Sequence, residues 1–194
     1  MNLADRVKGL VVDPRIEWRA IDAEEHTVQG LFTRYVMFLA AIPAVAGFIG
    51  MCIVGSGVFG HTVRMPLATG IAHMALSYLL SLAFVYLFAM VIHAFAPKFE
   101  GHGDFIDALK VAAFTPTPFW VAGILNVIPS LWIIVFLASL YSVWLLYLGL
   151  PTLTEPPEDK ALPYFCVVLL TMIVLTVVLY VVTALLIPAP LRGF

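Results

Sequence analysis

Between Phe99 and Trp120 the chain reads FEGHGDFIDALKVAAFTPTPFW. Glu100, His102, Asp104 and Asp107 are residue types that ligate divalent cations, hard metals through carboxylates and borderline ones through imidazole. Their spacing matches no metal signature, and HEXXH, CXXC and EF-hand patterns are absent from the chain. A structural reading accounts for more of the residues. Gly101 and Gly103 make a turn, and Asp104 is an N-cap. Asp107 at the third helical position adds favourable charge at the helix start. Lys110 pairs with Asp107 at i+3. No metal and no cofactor are expected. A helix is expected to begin here and run into an apolar block.

That helix meets two prolines, Pro116 and Pro118. Proline removes a backbone donor and crowds the preceding turn. The freed carbonyls need partners, and the Thr115 and Thr117 hydroxyls are the nearest candidates. Broken helices in membranes serve two ends, packing and the lining of a substrate path. Elsewhere in the apolar blocks the polar residues are mostly neutral. His73, Ser77 and Ser81 share one helix face, while Tyr86 and His93 lie on another. Asp, Glu, Lys and Arg are nearly absent from the blocks, which argues against a proton- or sodium-driven carrier. The chain has no GXSXG, P-loop or dinucleotide fingerprint, so it is not expected to be an enzyme.

Composition sets what must position these residues. The chain is 62% hydrophobic and 11% charged, against about a quarter charged in soluble domains. Its mean hydropathy is +1.04. An apolar surface of that extent belongs in lipid. The net charge of −2 excludes a basic nucleic-acid binder. Five apolar blocks, about 35–59, 66–96, 105–128, 131–150 and 164–187, each suffice to cross a bilayer core of about 30 Å as a helix. The expected fold is an all-α membrane protein, a five-transmembrane-helix bundle over 31–194 with a short N-terminal amphipathic interfacial helix. The third block is interrupted by TPTP, so a re-entrant hairpin of blocks three and four is the alternative.

Residues 1–30 read as a cytoplasmic leader and linker. Leu3, Val7, Leu10 and Val11 form an amphipathic helical stripe that Pro14 ends, flanked by Arg6, Lys8 and Arg15. It reads as an anchor on the inner membrane surface, with a docking arm as the alternative. Eight of the ten Lys and Arg fall on the N-terminal side of the membrane, leaving Arg64 and Arg192 opposite. The positive-inside rule then puts the N-terminus in the cytoplasm and the C-terminus outside. Cys52 and Cys166 lie at depths too different for a disulfide and read as buried fillers. Ala46, Gly47, Gly50 and Gly55 give the first span a small face for helix packing or for a homodimer.

Three stretches together resemble the Yip family, the Ypt/Rab-interacting proteins, in its small bacterial branch. They are the leader VVDPRIEWRAI (Val11 to Ile21), the block FEGHGDFIDALKVAAFTPTP, and LYSVWLLYLGLP (Leu140 to Pro151). The last reads as the exit of the fourth span, with Gly149 as a C′ residue and Pro151 beyond it. The resemblance implies an inner-membrane protein of five spans. Its eukaryotic relatives act in vesicle traffic and bind small GTPases, and they carry a longer cytosolic N-terminal region than is expected here.

Two functions follow as expectations. In the first, the protein is a non-enzymatic membrane scaffold or adaptor. Its leader, the Glu100–Lys110 loop and the TLTEPPEDK loop form a cytoplasmic docking face that contains Asp104, Asp107 and Lys110. In the second, it is a small transporter or channel for a neutral solute or lipid. The path would pass the Pro116 break beside Thr115, Tyr141 and His93, with Tyr147 in the same polar seam. The expected partners are the lipid bilayer and a membrane or cytosolic protein, with a second copy of the chain as a further candidate and no nucleic acid.

Overall fold

The computed structural model describes residues 2–58, 61–102 and 104–187. Phe59, Gly103 and Arg192, used above as a span limit, a turn residue and an outside charge, lie outside the described residues. Two short helices open the chain, α1 (Leu3–Val12) and α2 (Pro14–Ala23). Asp13 separates them. Its carboxylate accepts from the Ile16 N–H at 3.4 Å, and Pro14 takes the first helical position, where a missing N–H costs nothing. Pro14 therefore begins a second leader helix as well as ending the first.

Five helices follow that are long and apolar enough to cross a membrane: α3 (Val28–Val54), α4 (Leu67–Phe99), α5 (Phe105–Val127), α6 (Pro129–Thr154) and α7 (Glu158–Leu186). A short antiparallel hairpin joins α3 to α4, with β1 (Ser56–Val58) against β2 (His61–Val63). It is a small departure from an all-helical chain. Gly55, at φ 83°, stops α3 immediately before β1.

α5 is the central helix. Two-thirds of its apolar stretch (67%) is buried by the rest of the protein, against 6% for α7, which lies at the edge of the bundle. As the sequence predicts, α5 breaks at the prolines. A helix over Phe105–Phe114 gives way at Thr115 and Pro116 to a second over Thr117–Ala122, and 3₁₀ turns carry it to Val127. The core gathers round it from Val85, Phe88 and Ile92 of α4, Leu145, Leu146 and Leu150 of α6, and Leu10, Trp18 and Ile21 of the leader.

Two readings are corrected. The fourth span does not end at Gly149: α6 stays helical through Pro151 to Thr154, and Glu155 at φ 42° ends it. Gly149 is instead the seat of Trp18, whose indole lies where a Cβ would be. Cys166 is exposed on the outer side of α7 and is not a buried filler, whereas Cys52 is buried; both are free thiols. The small face of α3 packs inside the chain, where Gly50 lies so close to the Asn126 backbone of α5 that no Cβ fits.

Candidate functional site

The leader does not lie loose on the bundle. Leu10, Trp18 and Ile21 are fully buried, and Leu3 and Val7 pack against the same core. Val11, Val12 and Ile16 stay exposed on its other side. So the stripe read as membrane-facing is divided, with most of it covering α5 and α6 and a smaller apolar ridge left outward. Tyr141 of α6 clasps the leader, its hydroxyl donating to the Val11 carbonyl at 3.0 Å. Lys110 of α5 is buried. Its ammonium donates to Asp107 Oδ1 at 3.2 Å and to the Asp22 carbonyl of α2 at 3.3 Å.

Beneath the leader, Phe114 is the hub. Trp18, His26 and Tyr35 place their rings 6.4, 5.9 and 4.6 Å from it. The Arg6 guanidinium stands 5.6 Å from the ring centroid, close enough for a cation–π attraction. Arg6 is itself buried and donates to Glu17 Oε1 at 2.6 Å and to Glu24. Phe114 sits just before the break of α5, so the leader and the broken helix form one unit. Pro118 leaves the Phe114 carbonyl without its helical donor, and the Thr117 hydroxyl fills the gap at 2.6 Å. Tyr35 of α3 completes the chain with its hydroxyl 2.8 Å from Thr117 Oγ1.

Thr115 differs from Thr117. It is equally buried, but its hydroxyl has no partner among the described residues. The two isosteric changes should therefore separate. Thr117→Val is expected to cost about 1–3 kcal/mol, because it strands the Phe114 carbonyl and the Tyr35 hydroxyl. Thr115→Val is expected to be neutral or stabilising. Thermal unfolding of the two variants in the same detergent checks this, and equal losses would refute it.

His26, in the linker before α3, brings pH into the latch. Burial pushes its pKa below the usual imidazole value. Glu24 pulls it back up, while Lys110 and Arg6 add to the lowering. Its Nε2 lies 3.3 Å from Glu24 Oε2, near enough for an ion pair when protonated but not aligned as a hydrogen bond. Burial alone would raise the Glu24 pKa; the hydrogen bond and charge of Arg6 outweigh it and hold it below the ordinary carboxylate value. Both shifts leave the unfolded leader with more bound protons than the docked one, so docking strengthens as pH rises. Leader protection should be complete above the ordinary histidine pKa of about 6.5. It should fall as pH drops through and below that value, and fall again in the carboxylate range. Hydrogen exchange of α1 and α2 against pH measures this. His26→Gln should remove the upper step and leave the lower one.

The sequence-derived candidates separate into three places. Asp104 and Asp107 form a capping box at the start of α5, the Asp104 N–H donating to Asp107 Oδ2 at 3.3 Å. Lys110 and Tyr141 hold the leader. Thr115 and Pro116 line a cavity of about 420 Å³ between α4, α5, α6 and α7, walled by Phe84, Phe88 and Phe119. His93 and Tyr147 join none of the three. His93 stands edge-on to Phe105 with centroids 6.0 Å apart, and Tyr147 stacks on Trp144 at 5.5 Å. His73, Ser77 and Ser81 do share one face, on a second cavity of about 390 Å³ that also takes Asn126. Arg6, Glu17, Trp18 and Phe114 are the residues that sequence reading missed. For Arg6 and Glu17 the only signal was a charged pair eleven positions apart across a proline turn; Trp18 and Phe114 lay inside the stretches that carry the family resemblance.

The polar segments at the leader end are tied together. The His102 N–H donates to the Thr154 carbonyl at 2.6 Å, Lys160 pairs with Glu100, and Lys110 reaches Asp22. Glu100 and Asp107, two of the four residues weighed as metal ligands, are each paired with a lysine.

A family model of the Yip1 domain matches residues 8–179 of the chain. The matched stretch thus begins inside α1, two residues after Arg6, and takes in α2 and the five long helices to within α7. The chain is 28% identical over 163 residues to the inner membrane protein YohC of Escherichia coli strain K12, covering 81% of this chain and 83% of that protein. YohC of the Escherichia coli O6:H1 strain CFT073 matches to the same extent. No solved structure matches the chain.

Proposed function

From the chain's membership of the Yip1-domain family, we propose that it is a non-enzymatic inner-membrane scaffold or adaptor whose leader end is a docking face for a membrane or cytosolic protein. One observation carries this reading. The leader is tied to the start of α5 by Lys110–Asp22, and the α4–α5 connection to the ends of α6 and α7 by His102–Thr154 and Lys160–Glu100, which supports one joined surface. Such a surface presents several segments to a partner as a rigid body, which lowers the ordering cost of binding. The charge bias of the sequence supports a cytoplasmic position for it.

Lys110 is a poor probe of this surface because it is buried and holds the leader. Asp5, Lys8 and Asp159 are exposed on it. Replacing all three by alanine should abolish a stoichiometric complex isolated in native lipid while the purified chain melts as before. A complex that survives the triple change counts against the docking face.

The second reading, passage of a neutral solute or lipid, draws on the cavity beside Thr115 and Pro116. The proposed path residues do not line it together: Tyr141 is turned to the leader and His93 to Phe105. The docking reading is preferred for that reason.

A further inference from the structure

We infer that the groove between α2, α6 and α7 binds the phosphodiester headgroup of a membrane phospholipid. The groove has a volume of about 350 Å³ and is lined by Arg15 and Arg19 of α2, Tyr147 and Thr152 of α6, and Glu158 and Leu162 of α7, among others. Arg15 and Arg19 are one helical turn apart, so both guanidiniums reach the same side of α2.

Charge is the first argument. The buried carboxylate Glu17 and its neighbour Glu24 are taken by Arg6, Glu100 by Lys160 and Asp107 by Lys110. Neither Arg15 nor Arg19 makes an ion pair among the described residues. Two arginines therefore face one carboxylate, Glu158, in the groove. The surplus is a single positive charge, which one phosphodiester cancels. Arginine is the side chain whose planar fork matches two phosphate oxygens at once. Glu158 then remains as an acceptor for a hydroxyl or amine farther out on the headgroup.

Position is the second. The groove opens where the protein changes from polar to lipid-facing. Trp144 and Tyr147 are stacked, and both are 43% exposed; an aromatic pair of that kind sits at the headgroup level of a bilayer. Ile16 on α2 and Leu162 on α7 are exposed beside the arginines. Only 6% of the apolar stretch of α7 is fully buried by the rest of the protein, and Leu170, Ile173, Val174 and Val177 are exposed along it. A lipid whose phosphate sits between the arginines can thus lay its acyl chains along α7, which a free phosphate cannot do. A basic pocket between helices at this depth has the chemistry of a headgroup site. This inference is independent of the docking face, which rests on other residues.

The test uses the full-length chain, delipidated in mild detergent and titrated with phosphatidylglycerol under native mass spectrometry. The wild type should hold one lipid per chain. Arg15→Gln with Arg19→Gln should weaken that binding at least about tenfold, since two charge-assisted contacts are lost. Arg34→Gln, a cation near the start of α3 at a different cavity, should leave it unchanged. Glycerophosphate, which has the phosphate without the acyl chains, should displace the lipid only at far higher concentration. If the double glutamine variant fails to fold, Arg15→Lys with Arg19→Lys carries the test; it keeps the charge and loses the fork, and binding should drop several-fold. Wild-type affinity in the double variant, an equal loss in Arg34→Gln, or ready displacement by glycerophosphate would each overturn the proposal.

Discussion

Arg6→Met should release the leader from the bundle while leaving the five spanning helices folded. Arg6 is 4% exposed and Glu17 8%, and the guanidinium donates to Glu17 at 2.6 Å and also to Glu24. Methionine fills much of the arginine stem's volume, so lost packing is a small part of the effect. The large part is Glu17. With its cation gone, a buried carboxylate is left without its counter-charge, and breaking one side of a buried pair costs about 3–5 kcal/mol. Glu24 is more exposed and can turn to solvent, so it contributes less. The leader can escape this cost by undocking, because its contacts with the bundle are few compared with those among the spans. The loss should thus appear as local opening before global unfolding. Limited trypsin digestion at Arg15 and Arg19 in detergent should become rapid in the variant, with the spanning helices intact by circular dichroism. Adding Glu17→Gln to Arg6→Met should restore much of the protection, since a neutral amide is far cheaper to leave buried than a carboxylate. A single variant as resistant as wild type would mean that Arg6 and Glu17 are solvated in solution.

The same pair shows where sequence reading stops. An apolar stripe at i, i+4 and i+7 has one appearance whether it meets lipid or protein, so Leu3, Val7 and Leu10 gave no sign that they cover α5. Arg6 read as a flanking charge because a lone arginine on an amphipathic helix is usually solvated. Only the antiparallel return of α2 puts Glu17 beside it. Tyr141 was placed in a bundle seam from its own helix face, yet its hydroxyl bonds a carbonyl about 130 positions earlier in the chain. No local pattern encodes a contact of that range.

Local chemistry was legible where it acts locally. The five apolar blocks became the five long helices. Asp104 and Asp107 cap α5 at the spacing expected of a capping box. Pro116 and Pro118 break α5 where they stand, and the hydroxyl of Thr117 takes the freed carbonyl. His73, Ser77 and Ser81 line one cavity because 3.6-residue periodicity determines their face. Asn126 joins them only because 3₁₀ turns at the end of α5 redirect it. Gly149 and Pro151 were misjudged for a related reason. A glycine two residues before a proline is a good helix stop by local rules, but here α6 continues and the missing side chain serves a partner from the leader.

Gly149→Leu tests that last point with a sign as well as a size. If Gly149 were simply a helical residue facing lipid, leucine would stabilise α6 by about 1 kcal/mol through helix propensity. If it is the seat of Trp18, leucine drives the indole out and costs about 1–3 kcal/mol by overpacking. Trp18 is fully buried, with its ring against Gly149 and edge-on to Phe114, so Trp18→Ala should cost about 3–5 kcal/mol through the cavity it leaves. Trp18→Phe should cost much less, because the indole N–H has no partner to lose and removing a stranded donor returns part of the lost packing. The decisive variant combines Trp18→Ala with Gly149→Leu. Residues in contact couple, and leucine at 149 would then enter the space the indole vacated. The double variant should be more stable than the sum of the two single losses, measured by thermal unfolding and by trypsin resistance of the leader. Simple additivity would mean that Trp18 and Gly149 act on separate parts of the protein, and the leader would have to be held chiefly by Arg6, Lys110 and Tyr141.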